Sequence, residues 1–166
     1  MLGLALVLGL YVLAWRRGLI SSTDDVSPWL PGPRWRPVLF GAGLLIAYLA
    51  LQSPIDRGGD EFLFSLHMVQ HVLLMMVAPP LLLLGICGAR DIPPGMPARW
   101  WRRGWRSVTR PWVATFLFTA VLLTWHIPSL YDATLTTELI HVVEHITFMA
   151  VGVAFWWPVV DPAQVA

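Results

Sequence analysis

Five long apolar segments, set apart by prolines and arginines, constrain this chain more than any other feature. They run from about Met1 to Trp15, Val38 to Gln52, Phe62 to Ile86, Trp112 to Ile127 and Glu138 to Trp157. Proline stands at nearly every junction, at Pro28, Pro31, Pro33, Pro54, Pro93, Pro94, Pro97, Pro111, Pro128 and Pro158, where helices are expected to stop. In hydrocarbon every backbone N–H and C=O must be satisfied within the segment, which selects helices, and about 20 apolar residues make one crossing. Of the 166 residues 57% are hydrophobic and only 13% are charged, too few charges to clothe a water-soluble domain of this length. The expected fold is therefore all-α, a polytopic transmembrane helix bundle of about five spans. It forms a single membrane domain over residues 1–166, with spans at about 1–15, 38–52, 62–86, 112–127 and 138–157. The first segment has its charges, Arg16-Arg17, after the apolar run and no small-residue cleavage pattern, so it is read as a short helix and not as a signal peptide. Pro79-Pro80 lies inside the third segment and is expected to kink or break it.

The net charge of +1 conceals a strong asymmetry. All eleven basic residues are Arg. Arg16, Arg17, Arg34 and Arg36 fall in the first connector, and Arg90, Arg99, Arg102, Arg103, Arg106 and Arg110 in the third. The second holds Arg57 against Asp56, Asp60 and Glu61, and the fourth has only Asp132 and Glu138. By the positive-inside rule the first and third connectors are cytoplasmic, the N-terminus is external and the residue 166 end is cytoplasmic. Residues 87–111 then form a cytoplasmic Arg/Trp-rich interfacial loop, with Trp100, Trp101 and Trp105 expected among the lipid headgroups. Cys87, the single cysteine, excludes an internal disulfide and a paired-cysteine metal site, and reads as a small buried residue. Asp56 reads as a turn or cap residue after Ser53-Pro54. Nothing resembles a phosphate-binding loop or a nucleic-acid module.

All five histidines fall in the expected spans, where ionisable side chains are costly and usually functional. The third segment reads His67-Met68-Val69-Gln70-His71, with Met75 four residues on. The fifth reads His141-Val142-Val143-Glu144-His145, with Met149 four residues on. Steps of four place each set on one helix face, and the two stretches share the pattern H-x-V-Q/E-H-x-x-x-M on helices of the same direction. His126 sits near the outer end of the fourth segment, in Trp125-His126-Ile127-Pro128. The topology puts all five in the outer half of the membrane. Imidazole and thioether are a ligand set for copper, with methionine favouring Cu(I). Glu144 can orient an imidazole or ligate directly. The expected metal site is His67, His71, His126, His141 and His145, supported by Met75, Met149 and Glu144.

Other readings compete. One histidine in a span is often only an interhelical hydrogen-bond donor, and a methionine alone is more often packing. His141-x-x-Glu144-His145 also fits the inverzincin pattern of an intramembrane zinc hydrolase, although Gln70 stands where the matching stripe would need Glu. Paired transmembrane histidines can ligate haem. Copper is the expected metal; haem and zinc are the alternatives, together with a metal-free scaffold.

At these same residues the sequence resembles the bacterial cytochrome c oxidase assembly factors of the CtaG type, associated with caa-type oxidases. The resemblance is carried by Ser53-Pro54-Ile55-Asp56, His67-Met68-Val69-Gln70-His71 and Ala78-Pro79-Pro80-Leu81-Leu82. It continues in Trp125-His126-Ile127-Pro128 with Leu130-Tyr131, His141 to His145 and Phe155-Trp156-Trp157-Pro158. It implies a multi-pass protein of the bacterial plasma membrane that helps mature the oxidase, in copper insertion at its catalytic subunit. Its partners would be that subunit or other assembly factors, with the lipid bilayer around it and no nucleic acid. Such a protein exchanges ligands and makes no bonds, so it is not expected to be an enzyme. The family usually carries further helices after the segment equivalent to 138–157, so this chain is expected to be a shortened member or a fragment.

Overall fold

The computed structural model describes residues 2–17, 35–52, 64–86 and 99–160, with side chains from positions 7, 35, 65 and 103 of those stretches onward. Every regular element among them is helical. In chain order they are α1 (Leu2–Arg16), α2 (Arg36–Gln52), α3 (Phe64–Val72, then a π turn Leu73–Val77, then Ala78–Ile86), α4 (Arg99–Val108), α5 (Pro111–Trp125), α6 (Pro128–Thr136) and α7 (Glu138–Val160). Two helices, Ser65–Ile86 and Glu138–Val160, are each long and apolar enough to cross a membrane, and α5 with α6 makes a third candidate bent by 70°. The first two helices are shorter apolar elements. The protein is an all-α, polytopic membrane bundle.

Its burial pattern is that of a protein solvated by lipid. Leu139 is 71% exposed while His67 and Gln70 are 0% exposed and Glu144 is 1% exposed. Phe116, Leu123 and Ile146 also face outward. Apolar surface outside and polar groups inside is the arrangement a hydrocarbon solvent rewards.

Close approach of backbones holds α2 against α3. A Cβ added at Gly85 would stand 2.5 Å from Phe40 Cβ and 2.9 Å from its Cα. One at Gly43 would meet Leu82 Cγ at 2.9 Å and Ala78 O at 3.1 Å. Small residues at such crossings let membrane helices gain van der Waals contact that lipid would otherwise supply. Tyr11 of α1 completes this corner. Its ring stacks on Phe40 at 3.9 Å, and its hydroxyl donates to Gly85 O at 2.9 Å. That carbonyl lies in the last turn of α3, which has no partner within the helix. Tyr11→Phe keeps the stack and removes the donor, and is expected to cost about 1 kcal/mol, read as a lower midpoint in detergent unfolding.

The prolines of α3 do not break it. The turn Leu73–Val77 is widened, with Ala78 N–H bonding to Leu73 O. A widened turn just before Pro79 relieves the clash between a proline ring and the carbonyl four residues earlier. That carbonyl, Met75 O, is covered by α7 at Gly152, where an added Cβ would lie 2.8 Å from the oxygen and 2.9 Å from Pro79 Cγ. Of the expected kink or break, the break does not occur: a π turn seated against a neighbour's glycine carries the helix through. Along α3 and α7 the contacts advance in the same order: His67 with His141, His71 with His145, Met75 with Gly152, Leu83 with Val160. The two helices run parallel.

Two elements differ from the sequence reading. The stretch expected as an interfacial loop contains the helix α4. Within it the Trp105 ring stands edge-on to Trp157 of α7 at 5.2 Å. The side chains of Trp100 and Trp101, together with Cys87, Asp56 and Ser53-Pro54, lie outside the described residues. The connector between the fourth and fifth segments is the helix α6. Pro128 both stops α5 and starts α6, holding Ile127 extended (ψ 128°) and standing itself in the first turn of the new helix, where a missing N–H costs nothing.

Candidate metal centre

α3 and α7, running parallel, lay their histidine pairs side by side. Ring centroids of His67 and His71 are 4.2 Å apart, as are those of His141 and His145. Across the helices His67 is 6.0 Å from His141, and His71 is 6.1 Å from His145. The four imidazoles make two rungs of a ladder, each rung one helical turn from the next. This follows from the step of four on each helix together with the parallel register.

Glu144 sits between the rails. Its Oε1 is 3.5 Å from His71 Nε2. It belongs to two groups whose ligand atoms all lie within 4.8 Å of one another: His67, His71 and Glu144, and His141, Glu144 and His145. Every residue of the first group is buried, as is His145 in the second. The Nδ1 of His71 and the Nε2 of His145 are buried with no hydrogen-bond partner among the described residues. Two ligands each about 2.0–2.1 Å from one metal at a tetrahedral angle stand about 3.4 Å apart, so the His71–Glu144 spacing already suits a shared ion. Phe148, fully buried, closes the inner side with its ring 4.4 Å from His71.

The remaining expected residues fall at different distances from this centre. His126 forms the C-cap of α5, and its ring lies 5.8 Å from that of His71. Met75 is buried a turn deeper, at the π turn, with its backbone against Gly152. Met149 packs against the apolar cluster of Ala47, Ala50, Leu74 and Ala78.

Three residues near the centre were not anticipated as site residues. Gln70, fully buried, is the counterpart of Glu144 in the repeated pattern, and that symmetry was the available signal. Tyr131 projects from α6, with its ring centroid 5.6 Å from that of His67; no spacing announces it, because in sequence this stretch reads as a connector. Met68 brings its Sδ to 3.5 Å from His126 Nε2, and its position next to His67 in sequence hides that it belongs to another face. Trp125 Nε1 donates to Thr147 Oγ1 at 2.9 Å, which in turn donates to Glu144 O at 2.8 Å. This pins the C-terminal end of α5 to the turn of α7 that carries the carboxylate.

Fold and site together define a membrane helix bundle with a buried histidine–carboxylate centre on two parallel helices. The chain belongs to the family described as cytochrome c oxidase caa3 assembly factor (Caa3_CtaG), whose model matches residues 9–166. No curated protein and no solved structure matches it.

Proposed function

We propose that this protein is an assembly factor of the bacterial plasma membrane that carries copper to cytochrome c oxidase, holding it among His67, His71, His141, His145 and Glu144, with His126 alongside. The observation that carries the reading is the convergence of two His-x-x-x-His pairs on a carboxylate common to both. Imidazole suits several transition metals; copper is chosen because the family serves an oxidase whose catalytic subunit receives that metal. The positive-inside bias puts the centre in the external half of the membrane, where an ion arriving from outside would reach it. Copper is cargo here. Transfer is ligand exchange with the oxidase's catalytic subunit or with other assembly factors, and no covalent bond of a substrate is made or broken.

The rival readings draw less support. A porphyrin needs open space beside its axial imidazole, and Phe148 lies 4.4 Å from the His71 ring while Tyr131 lies 5.6 Å from that of His67. A hydrolytic base acts on a water and does not serve as a ligand itself, whereas the Glu144 carboxylate is grouped with imidazoles from both helices, 3.5 Å from His71 Nε2. Metal analysis and a visible spectrum of protein purified in detergent from copper-replete cells test the proposal. Near-stoichiometric copper without a Soret band is expected. A Soret band would replace the reading by a haem carrier, and protein free of bound metal would replace it by a scaffold whose histidines only bridge helices.

A further inference from the structure

His126 and Met68 make a contact that ordinary hydrogen bonding does not explain. His126 Nδ1 lies 2.7 Å from Leu122 O. A carbonyl only accepts, so Nδ1 carries the hydrogen, and in the neutral ring Nε2 is then a bare lone pair. That lone pair points at Met68 Sδ, 3.5 Å away, and a thioether is itself an acceptor. In the neutral ring, two electron-pair donors thus face a common point with no hydrogen between them.

A soft cation fits that point. With a metal–nitrogen distance of about 2.0 Å and a metal–sulfur distance of about 2.3 Å, a nitrogen and a sulfur 3.5 Å apart subtend about 110° at one ion. Imidazole with thioether is the donor pair that selects Cu(I) over harder ions. Both side chains are only half-buried, whereas His71, Glu144 and His145 are buried. The pair therefore stands between the protein's periphery and the centre. His71, whose ring is 5.8 Å from that of His126, already reaches Glu144 at 3.5 Å. The backbone serves the same end. His126 caps α5 where the chain turns by 70° into α6, with one ring nitrogen held by its own helix at Leu122 O and the other facing Met68 of α3.

We propose that His126 Nε2 and Met68 Sδ form a separate two-ligand station for Cu(I), through which the ion passes between the outside and the buried histidine–carboxylate centre. This rests on the copper reading above and adds to it a second, sulfur-bearing site. It assigns the working thioether to Met68, and leaves Met75 and Met149 to packing.

The test is anaerobic Cu(I) titration of the full chain in detergent, followed by X-ray absorption at saturation, on wild type and on Met68→Leu, His126→Leu, Met75→Leu and Met149→Leu. Wild type is expected to bind more than one Cu(I) and to show a sulfur scatterer at about 2.3 Å. In Met68→Leu and His126→Leu that sulfur signal should vanish and the last Cu(I) should bind about tenfold more weakly or worse, while Met75→Leu and Met149→Leu keep both properties. Copper bound in wild type without sulfur scattering, or a sulfur signal that survives Met68→Leu, overturns the station and leaves the buried centre standing. Failure of wild type to bind copper at all overturns both.

Discussion

A His67→Ala/His141→Ala double variant is expected to emerge from copper-replete cells with its copper reduced at least about tenfold, the scale on which removing support from a metal site acts. The choice of residues follows from the ladder. His67 and His141 form one rung, 6.0 Å apart, and each belongs to a different three-ligand group around Glu144. The double substitution takes one ligand from each group. It spares the inner pair, His71 and Glu144, whose 3.5 Å contact keeps the buried carboxylate beside an imidazole. Removing His71 instead would strip Glu144 of that neighbour, and a fold defect could then be mistaken for a metal defect. Single substitutions should fall between wild type and the double variant, because each leaves one group whole. Metal analysis of folded, monodisperse protein checks this. Copper retained at wild-type level in the double variant would rule out the proposed centre.

The second large effect concerns the helix crossing that positions α3. Gly41, Gly43 and Gly85 cannot be ranked by type, yet the structure separates them sharply. Gly41→Ala meets nothing within 4 Å, and replacing a helical glycine by alanine is favourable by roughly 0.5–1 kcal/mol. Gly43→Ala drives a methyl to 2.9 Å from Leu82 Cγ and 3.0 Å from Leu82 N. Gly85→Ala drives one to within 2.9 Å of Phe40 backbone atoms, which cannot swing aside as a side-chain end can. Overpacking of this kind costs about 1–3 kcal/mol and sometimes more. Unfolding midpoints in detergent are expected in the order Gly41→Ala at or above wild type, then Gly43→Ala, then Gly85→Ala lowest. Equal midpoints for all three would show that α2 and α3 do not approach as described. Gly85→Ala should also displace the carbonyl that Tyr11 holds at 2.9 Å, so its cost and that of Tyr11→Phe should not add.

Some of this protein was decided by the order of its residues alone. Long unbroken apolar runs with few charges select helices in a lipid solvent, since the alternative that satisfies the backbone there, a closed barrel, needs short strands of alternating character. A step of four residues puts His67 with His71, and His141 with His145, on one face whatever surrounds them. The repeat of that step on two segments with one crossing between them, and therefore of the same direction, also implies that both helices carry their histidines at one depth. The connectors were less legible. α6 is short and partly polar, and its apolar side becomes meaningful only because Tyr131 has His67 to cover. The course of α3 through Pro79-Pro80 depends on a π turn and on Gly152 of another helix, neither of which a local rule about proline contains.

The partners across helices belong to the tertiary structure. Spacing along a chain sets an angle about one helix axis, but a ligand set needs the relative rotation and separation of two or three axes. Close contacts at Gly43, Gly85 and Gly152, and the bend at His126 and Ile127, fix those quantities. They bring Glu144 to both histidine pairs. They also turn His126 towards Met68, although Met75 and Met149 carry the more regular spacing. Periodicity chose the faces, and the packing of backbones chose which faces meet.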